Sequence, residues 1–385
     1  MTSTSIWMRD AGLPAWPALA GDRRERVVVV GAGLAGLGLA RALRARGVDP
    51  LIVDARGPAA GASGRNAGFV LRTHVTELPA LLARVGRPLV TELLALAAEN
   101  HARVRALAGI DDPTRYRARG SLMLATGEVE RARLVEASSA LREAGVRASD
   151  VAVPAGLAAF DAALRVDDDG EVHPGRLVAA LAEGARGARM DVRAVDAAGV
   201  SDGAHRIEAD HVVLATNAWL GAVVPALAPV VTPNRAQMLA TAPLAPTLEL
   251  PCYAGLGFDY FRQRPDGRVL LGGRRHLFVE AERTRDESTS SEVQAALEAY
   301  LAEHLPFARG ARIEERWSGI MAFTPDGLPL AGRTPVAGGS VWVLGGWTGH
   351  GLGLSLAVAN RLAAKMIDRD RTDALLDALA PTRFA

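Results

Sequence analysis

Three closely spaced glycines near the start of the chain have the spacing that binds a phosphate. Gly31, Gly33 and Gly36 follow the apolar run "RVVVV" and open a predicted helix that ends near Gly47. In a strand–turn–helix unit, the first glycine makes the turn, the second admits a pyrophosphate and the third allows close helix packing. Asp54 ends the next predicted strand, where a carboxylate can bind ribose hydroxyls. The pattern predicts an adenine dinucleotide and leaves NAD and FAD open.

A second glycine-rich segment favours FAD. Residues 61–68, "GASGRNAG", offer backbone N–H groups and the cation of Arg65, which a nicotinamide enzyme does not need. Together with "VVLATNAW", "PDGRVLLGG", "WSGIMAFTPDGLPLAG" and "GGWTGHGLGLS", in that order, this segment resembles the D-amino acid oxidase superfamily of flavoproteins. Within that superfamily, these motifs are most similar to those of the gamma-glutamylputrescine oxidoreductase and glycine oxidase branches.

The resemblance implies a noncovalent FAD, because the positions through which some relatives tether the flavin hold neither cysteine nor histidine. The single cysteine, Cys252, lies outside both segments and is expected to be a small buried hydrophobe. The residues expected to bind FAD are Gly31, Gly33, Leu34, Ala35, Gly36, Asp54, Ala55, Arg56, Gly61, Ala62, Ser63, Arg65, Asn66, Ala67, Gly68, Val192, Ala215, Thr216, Trp219, Gly319, Gly346, Gly349, His350, Gly351, Leu352 and Gly353.

The last glycine turn, at Gly349, Gly351 and Gly353, precedes a predicted helix. Its N-terminus would aim a partial positive charge at the flavin pyrimidine ring, where negative charge collects on reduction. A flexible loop is the alternative interpretation of this segment. His350 is expected to have a structural role beside the cofactor rather than that of a general base.

The substrate implied by the resemblance is a small amine or amino acid whose C–H gives a hydride to the flavin, so that the resulting imine hydrolyses. Met321 stands where glycine oxidases have a carboxylate-binding arginine, and Gly353 where sarcosine oxidases have a lysine. A substrate carboxylate would therefore need another cation, such as Arg72 or Arg262.

Other pocket candidates are Tyr260, Trp347 and Phe323. Tyr260 and Arg262 alternate on a predicted strand and share one sheet face, which is either pocket lining or a solvated surface. The only lysine, Lys365, lies far along the last predicted helix and is not expected to activate oxygen. Oxygen is nevertheless the expected electron acceptor, with dehydrogenase activity as the alternative.

The predicted fold class is α/β, with a discontinuous Rossmann-like FAD-binding domain and an inserted α+β substrate domain on a mainly antiparallel sheet. Residues 1–25 form an N-terminal arm. Residues 26–75, 150–222 and 311–385 form the FAD-binding domain, and residues 76–149 and 223–310 the substrate-binding domain.

Composition narrows the remaining classes of function. The 44 basic and 43 acidic residues give a net charge of +1, which argues against nucleic acid and membrane partners. We expect no metal site, no export signal in residues 1–25 and no membrane span, hence a cytoplasmic protein of unknown oligomeric state. The open alternatives are a D-amino acid or glycine oxidase, an NAD-dependent dehydrogenase, a non-catalytic flavin-binding module and an RNA-modifying relative.

Overall fold

A computed structural model describes residues 4–73, 77–108, 116–334, 340–368 and 370–384. Its helices are α1 (Ile6–Arg9), α2 (Leu34–Arg44), α3 (Leu78–Val85), α4 (Arg87–Ala108), α5 (Gly127–Glu143), α6 (Pro174–Ala182), α7 (Leu220–Val223), α8 (Val279–Glu282), α9 (Ser291–His304), α10 (Gly351–Ile367) and α11 (Ala374–Ala378). Its strands are β1 (Arg23–Val30), β2 (Leu51–Asp54), β3 (Phe69–Val70), β4 (Tyr116–Arg117), β5 (Ser121–Ala125), β6 (Ala148–Val151), β7 (Ala162–Val166), β8 (Gly170–Val172), β9 (Arg186–Arg189), β10 (Ala194–Asp196), β11 (Gly199–Ser201), β12 (Arg206–Leu214), β13 (Thr232–Pro243), β14 (Cys252–Ala254), β15 (Asp259–Gln263), β16 (Arg268–Gly273), β17 (Ile313–Phe323), β18 (Leu330–Arg333) and β19 (Val341–Gly345).

The first sheet is built around parallel strands in the order β9-β2-β1-β12-β19, with β18 antiparallel to β19 at one edge. Strand β1 shows why both faces of this sheet are covered. Val27 and Val29 pack into one apolar cluster, which includes residues of α2 and α10, while Val28 and Val30 pack into another on the opposite face. A parallel sheet buried on both faces is the arrangement of a Rossmann-like domain, which confirms that part of the predicted fold.

The second sheet has the order β17-β13-β16-β15-β14-β5-β7-β6 and is antiparallel except between β14 and β5. A hairpin joins β15 to β16, and Gly267 makes its turn with a φ of +85°. A smaller antiparallel sheet has the order β3-β8-β4, and its strand β3 directly follows the glycine-rich segment 61–68. The mainly antiparallel second layer thus agrees with the predicted fold class.

Strand pairing divides the chain differently from the predicted domain ranges at two places. Strands β6 and β7 lie within or beside the range 150–222, and β17 lies within 311–385, yet all three pair in the antiparallel sheet. The motif "WSGIMAF" therefore lies on a strand of the second sheet. The domain boundaries themselves remain a proposal.

The N-terminal arm packs onto the glycine-rich segment 61–68. Trp7 is 1% exposed and its Nε1 donates a hydrogen bond to the Asn66 carbonyl at 2.6 Å, while the Ser5 hydroxyl donates to the Gly64 carbonyl. Gly175, at the start of α6, leaves room for this arm, because a Cβ there would lie 2.2 Å from the Trp7 carbonyl oxygen. The arm therefore supports the backbone that is predicted to run along the cofactor.

Candidate functional site

A cavity of about 1340 Å³ is lined by residues of both large sheets. Most of the predicted FAD-binding residues line it: Gly31, Gly33, Leu34, Ala35, Asp54, Ala55, Arg56, Gly61, Ala62, Ser63, Arg65, Asn66, Ala67, Gly68, Val192, Ala215, Thr216, Trp219, Gly319, Gly349, His350, Gly351 and Leu352. The structure thus brings together segments that are far apart in the sequence. Gly36, Gly346 and Gly353 are not among the lining residues.

At each of the three glycines of the first turn, a side chain would meet a different neighbour. Gly31 has a φ of +112°, and a Cβ there would lie 2.6 Å from the Ala215 carbonyl oxygen. A Cβ at Gly36 would lie 2.0 Å from the Gly31 carbonyl oxygen, so this residue closes the turn against the helix. Gly33 lies next to Ser63, whose hydroxyl oxygen would be 2.8 Å from an added Cβ. The turn is therefore too tight for side chains at its own backbone.

The end of this turn offers backbone donors to an anion. Helix α2 begins after Gly33 without an acidic residue in its first turn, and the Leu34 N–H donates to the Ser63 hydroxyl at 2.9 Å. Such an N-terminus carries partial positive charge and unpaired N–H groups. Asp54 accepts hydrogen bonds from the backbone N–H groups of Ala32, Arg56 and Gly57 at 2.8–2.9 Å, which fixes its carboxylate beside the turn. These residues fit the pyrophosphate and ribose of a dinucleotide.

Arg65 has a different role from that of a free cation facing the cofactor. Its side chain is 6% exposed, and it donates to the carbonyls of Ala60 at 2.9 Å and Ser318 at 3.0 Å. Its guanidinium also lies 3.9 Å from Glu287. Arg65 thus joins the glycine-rich segment to β17, since long-range partners already use its donors.

The two remaining predicted glycines act through packing. A Cβ at Gly353 would lie 2.5 Å from the Leu71 carbonyl oxygen, so this glycine lets α10 approach the chain that follows β3. Gly346 has a φ of +63° and lies against Thr324 and Leu330. Both pack behind the last glycine turn and do not line the cavity; that they bind the cofactor stays a prediction.

His350 occupies the position before α10, makes no side-chain capping hydrogen bond there, and lines the cavity. Burial lowers the pKa of this histidine to about 4, against a weaker opposing contribution from the Thr348 backbone. A side chain with this pKa is neutral at physiological pH and is a weak proton acceptor. The geometry therefore fits the expected structural role better than that of a general base.

All but one of the predicted substrate residues line the cavity. Tyr260, Met321, Phe323, Trp347 and Arg72 all line the cavity. The aromatic residues and Met321 leave this part of the cavity largely apolar. Its chemistry suits a substrate carbon skeleton rather than a hydrated ion.

Arg262 does not line the cavity, contrary to its selection as a substrate ligand. It shares a face of β15 with Tyr260, as expected, but is 4% exposed and points into the protein. Its Nε lies 2.8 Å from a Glu171 oxygen, as an ion pair outside hydrogen-bond geometry, and its Nη1 donates to the carbonyls of Ala67 and Val172. Since Glu171 already neutralises it, Arg262 is a structural cation.

Arg72 reaches the cavity with part of its guanidinium engaged. Nη2 donates to the Leu94 carbonyl at 3.0 Å and Nη1 lies 3.6 Å from Asp168. Asp168 is also bound by Arg147, at 2.8 Å. Arg72 therefore already has a carboxylate neighbour within the protein.

Sequence reasoning missed four cavity residues, one within β14, one just before β15 and two after β16. Arg275, His276, Phe258 and Tyr253 line the cavity, although none was selected from the sequence. The available signal was the pair of arginines in "GGRRHLF", directly after a predicted strand of the substrate domain. The sequence alone does not distinguish Arg275 from the other arginines of the chain.

Two further expectations concern residues outside the cavity lining. Cys252 is 1% exposed within the apolar cluster around β14 and β16, and burial strongly raises the pKa of its thiol, which confirms a buried hydrophobe. Lys365 lies on α10 with its Nζ 3.1 Å from Asp377 and does not line the cavity. Among the described residues, no cluster of three His, Cys, Asp or Glu side chains could hold a metal, and no helix is long and apolar enough to cross a membrane.

Comparison with known proteins gives several relatives that match most of this chain. Gamma-glutamylputrescine oxidoreductase of Escherichia coli (strain K12) is 26% identical over 375 residues, covering 90% of this chain and 85% of that protein. Glycine oxidase of Pseudomonas aeruginosa is 28% identical over 380 residues, covering 90% and 96%. A tRNA 5-methylaminomethyl-2-thiouridine biosynthesis bifunctional protein of Maricaulis maris is 30% identical over 369 residues; the match covers 93% of this chain but only 55% of that relative.

The solved structure of glycine oxidase from Geobacillus kaustophilus superimposes with a TM-score of 0.77 and 24% identity, covering 94% of this chain and 99% of that one. This likeness supports the fold. The family model described as "DAO: FAD dependent oxidoreductase" matches residues 26–365. With a glycine turn and a cavity that fit a dinucleotide, the match over most of the chain shows that this protein belongs to the DAO family of FAD dependent oxidoreductases and is an enzyme that uses FAD.

Proposed function

We propose that this enzyme oxidises a C–N bond of a small amine or amino-acid-like substrate. The observation that carries the proposal is the continuity of one cavity. Residues Gly31, Gly33, Leu34 and Ala35 of the glycine turn and the apolar wall formed by Tyr260, Phe323 and Trp347 line the same cavity. An amine bound against this wall lies in the same chamber as the cofactor.

FAD supplies the hydride acceptor when bound, and the chain supplies orientation and electrostatics. Residues 31–36 and Asp54 would hold the pyrophosphate and ribose, and the N-terminus of α10 presents its dipole to the cavity at Gly351 and Leu352. The aromatic wall excludes water from the reacting carbon. His350, neutral at physiological pH, adds no positive charge that would repel a protonated amine.

The experiment is anaerobic mixing of the purified yellow protein with a panel of amines. The panel contains primary and secondary amines, polyamine derivatives, N-methyl amino acids, glycine and D-amino acids. We expect bleaching of the flavin absorbance by at least one amine, with the corresponding carbonyl compound as product. A flavin that no member of the panel reduces would contradict the proposal and favour a non-catalytic flavin-binding protein.

A D-amino acid or glycine oxidase is the alternative within the family, and relatives of that name support it. Reduction by only these substrates would select it. We further propose oxygen as the electron acceptor and the cytoplasm as the location, which fits a single buried cysteine. Hydrogen peroxide formed in proportion to the substrate consumed would support an oxidase, whereas turnover only with an artificial dye would indicate a dehydrogenase.

Relatives named for tRNA modification suggest a second substrate class. The net charge of +1 offers no overall field for an RNA backbone, so we propose that the substrate is a free small molecule. A gel-shift titration with bulk tRNA tests this point. Binding that weakens steeply with salt would overturn it.

A further inference from the structure

Arg275 is a partly buried cation that lines the cavity near the predicted substrate residues. It follows the end of β16, and its guanidinium carbon lies 4.7 Å from the ring of Phe258 and 5.4 Å from the ring of Phe323. Its Nε is buried without a hydrogen-bond acceptor, and burial lowers the pKa of its side chain. The guanidinium is therefore held between two rings with donor capacity unused.

No carboxylate among the described residues forms an ion pair with Arg275. The adjacent acid, Asp259, is 1% exposed and is already bound by Arg274, through Nη1 at 3.0 Å and the backbone N–H at 2.9 Å. Arg262 and Arg72 differ in this respect, since each has a carboxylate neighbour. Against the lowering by burial, the charge of Asp259 raises the pKa of Arg275 but forms no ion pair with it, so the guanidinium keeps its donors for a ligand of opposite charge.

We propose that Arg275 binds the carboxylate of the substrate, which makes the substrate an amino acid or a related amino carboxylate. This inference rests on the proposed oxidation of a C–N bond at the same site. A guanidinium presents a planar pair of N–H donors that matches a carboxylate. Phe258 and Phe323 would enclose the pair, while Tyr253 and Tyr260, which interact electrostatically with Arg275, line the same cavity.

The test uses the FAD-loaded protein with benzoate and its neutral isostere benzamide, neither of which is oxidised. Binding is followed through the perturbation of the flavin absorbance. We expect the wild type to bind benzoate more tightly than benzamide. Arg275→Met should weaken benzoate binding at least about thirtyfold, the lower bound for removing one partner of a buried charge pair, and leave benzamide binding nearly unchanged. Arg275→Lys should give an intermediate affinity.

The matched control is Arg133→Met, an arginine of α5 outside the cavity lining, whose side chain is 62% exposed and lies 3.2 Å from Glu136. It should leave the benzoate affinity as in the wild type. The thermal midpoint of the protein without benzoate gives an independent readout. Because Arg275 has no ion-pair partner to lose, Arg275→Met should not lower this midpoint, whereas a structural arginine would.

Failure of this inference and failure of the proposed function give different results. If amines reduce the flavin but Arg275→Met binds benzoate as the wild type does, the carboxylate assignment is overturned and the oxidation of amines stands. If no amine reduces the flavin but benzoate binding still requires Arg275, the anion site stands and the proposed reaction falls. A lower thermal midpoint with loss of FAD in Arg275→Met would assign the residue a structural role and overturn the inference.

Discussion

Replacing Arg262 with methionine should destabilise the protein without affecting recognition of a substrate carboxylate. Arg262 is fully enclosed: its guanidinium carbon lies 5.4 Å from the Trp7 ring, and its Nη1 donates to the carbonyls of Ala67, Gly68 and Val172 at 3.1–3.4 Å. Methionine fills much of the same volume but leaves these carbonyls and Glu171 without their cation.

The magnitude follows from what remains around Glu171. Breaking a buried ion pair by removing one partner costs about 3–5 kcal/mol. Arg117 stays 3.3 Å from the other Glu171 oxygen, so we expect the lower end, about 3 kcal/mol. An unfolding entropy of about 2.1 cal/mol/K per residue makes this a fall of roughly 4 °C in thermal midpoint for a chain of 385 residues.

The assay combines thermal unfolding with FAD retention and benzoate binding. FAD should be released more readily by Arg262→Met, because Ala67 and Gly68 belong to the segment that lines the cofactor site. The double variant Arg262→Met with Glu171→Gln should recover part of the lost stability, since the unpaired carboxylate is then removed. An unchanged thermal midpoint together with lost benzoate affinity in Arg262→Met would refute this reasoning and restore Arg262 as the substrate ligand.

Three further predictions concern other parts of the chain. Gly36→Ala should abolish FAD content, measured by absorbance, because its Cβ would lie 2.0 Å from the Gly31 carbonyl oxygen. Lys365→Met should leave the rate of flavin reoxidation by air nearly unchanged in stopped-flow measurements, since Lys365 pairs with Asp377 outside the cavity. Asp169, whose pKa burial raises to about 7, keeps its proton in the folded state between about pH 4 and 7, so its contribution to stability falls as pH rises through that window. Denaturant unfolding of wild type and Asp169→Asn should therefore diverge with pH, by up to about 4 kcal/mol in favour of the variant at pH 8.

The cofactor half of the site could be predicted from the sequence because its determinants are local. Gly31, Gly33 and Gly36 lie within one strand–turn–helix unit, and Asp54 ends the next strand, so spacing alone constrains their positions. The steric roles of Gly31 and Gly36 are those expected. Gly86, with a φ of +80°, separates α3 from α4.

The substrate part of the site depends on contacts between segments that are far apart in the sequence. Residue spacing does not show which of these segments meet. Arg262 and Glu171 meet because β15 packs near β8, and neither strand indicates the other in the sequence. Gly346 and Gly353 look equivalent to Gly349 and Gly351 in the motif, yet they face Thr324 and Leu71 instead of the cavity. A glycine-rich motif therefore predicts the cofactor but not which of its glycines touch it.

Two features of the pocket concern the same charge. Position 321 holds a methionine where glycine oxidases are expected to have an arginine, and Arg275 supplies a cation nearby. Met321 and Phe323 alternate on β17, so both side chains leave the same face of the strand, separated by roughly 7 Å. The guanidinium of Arg275 reaches the Phe323 ring from the end of β16, a strand separated from β17 only by β13. The cavity thus holds a partly buried cation, which lies near Phe323 and follows β16 rather than standing on β17. Since Asp259 is already paired with Arg274, this charge is left for a ligand, and the position of that charge rather than its absence distinguishes this pocket.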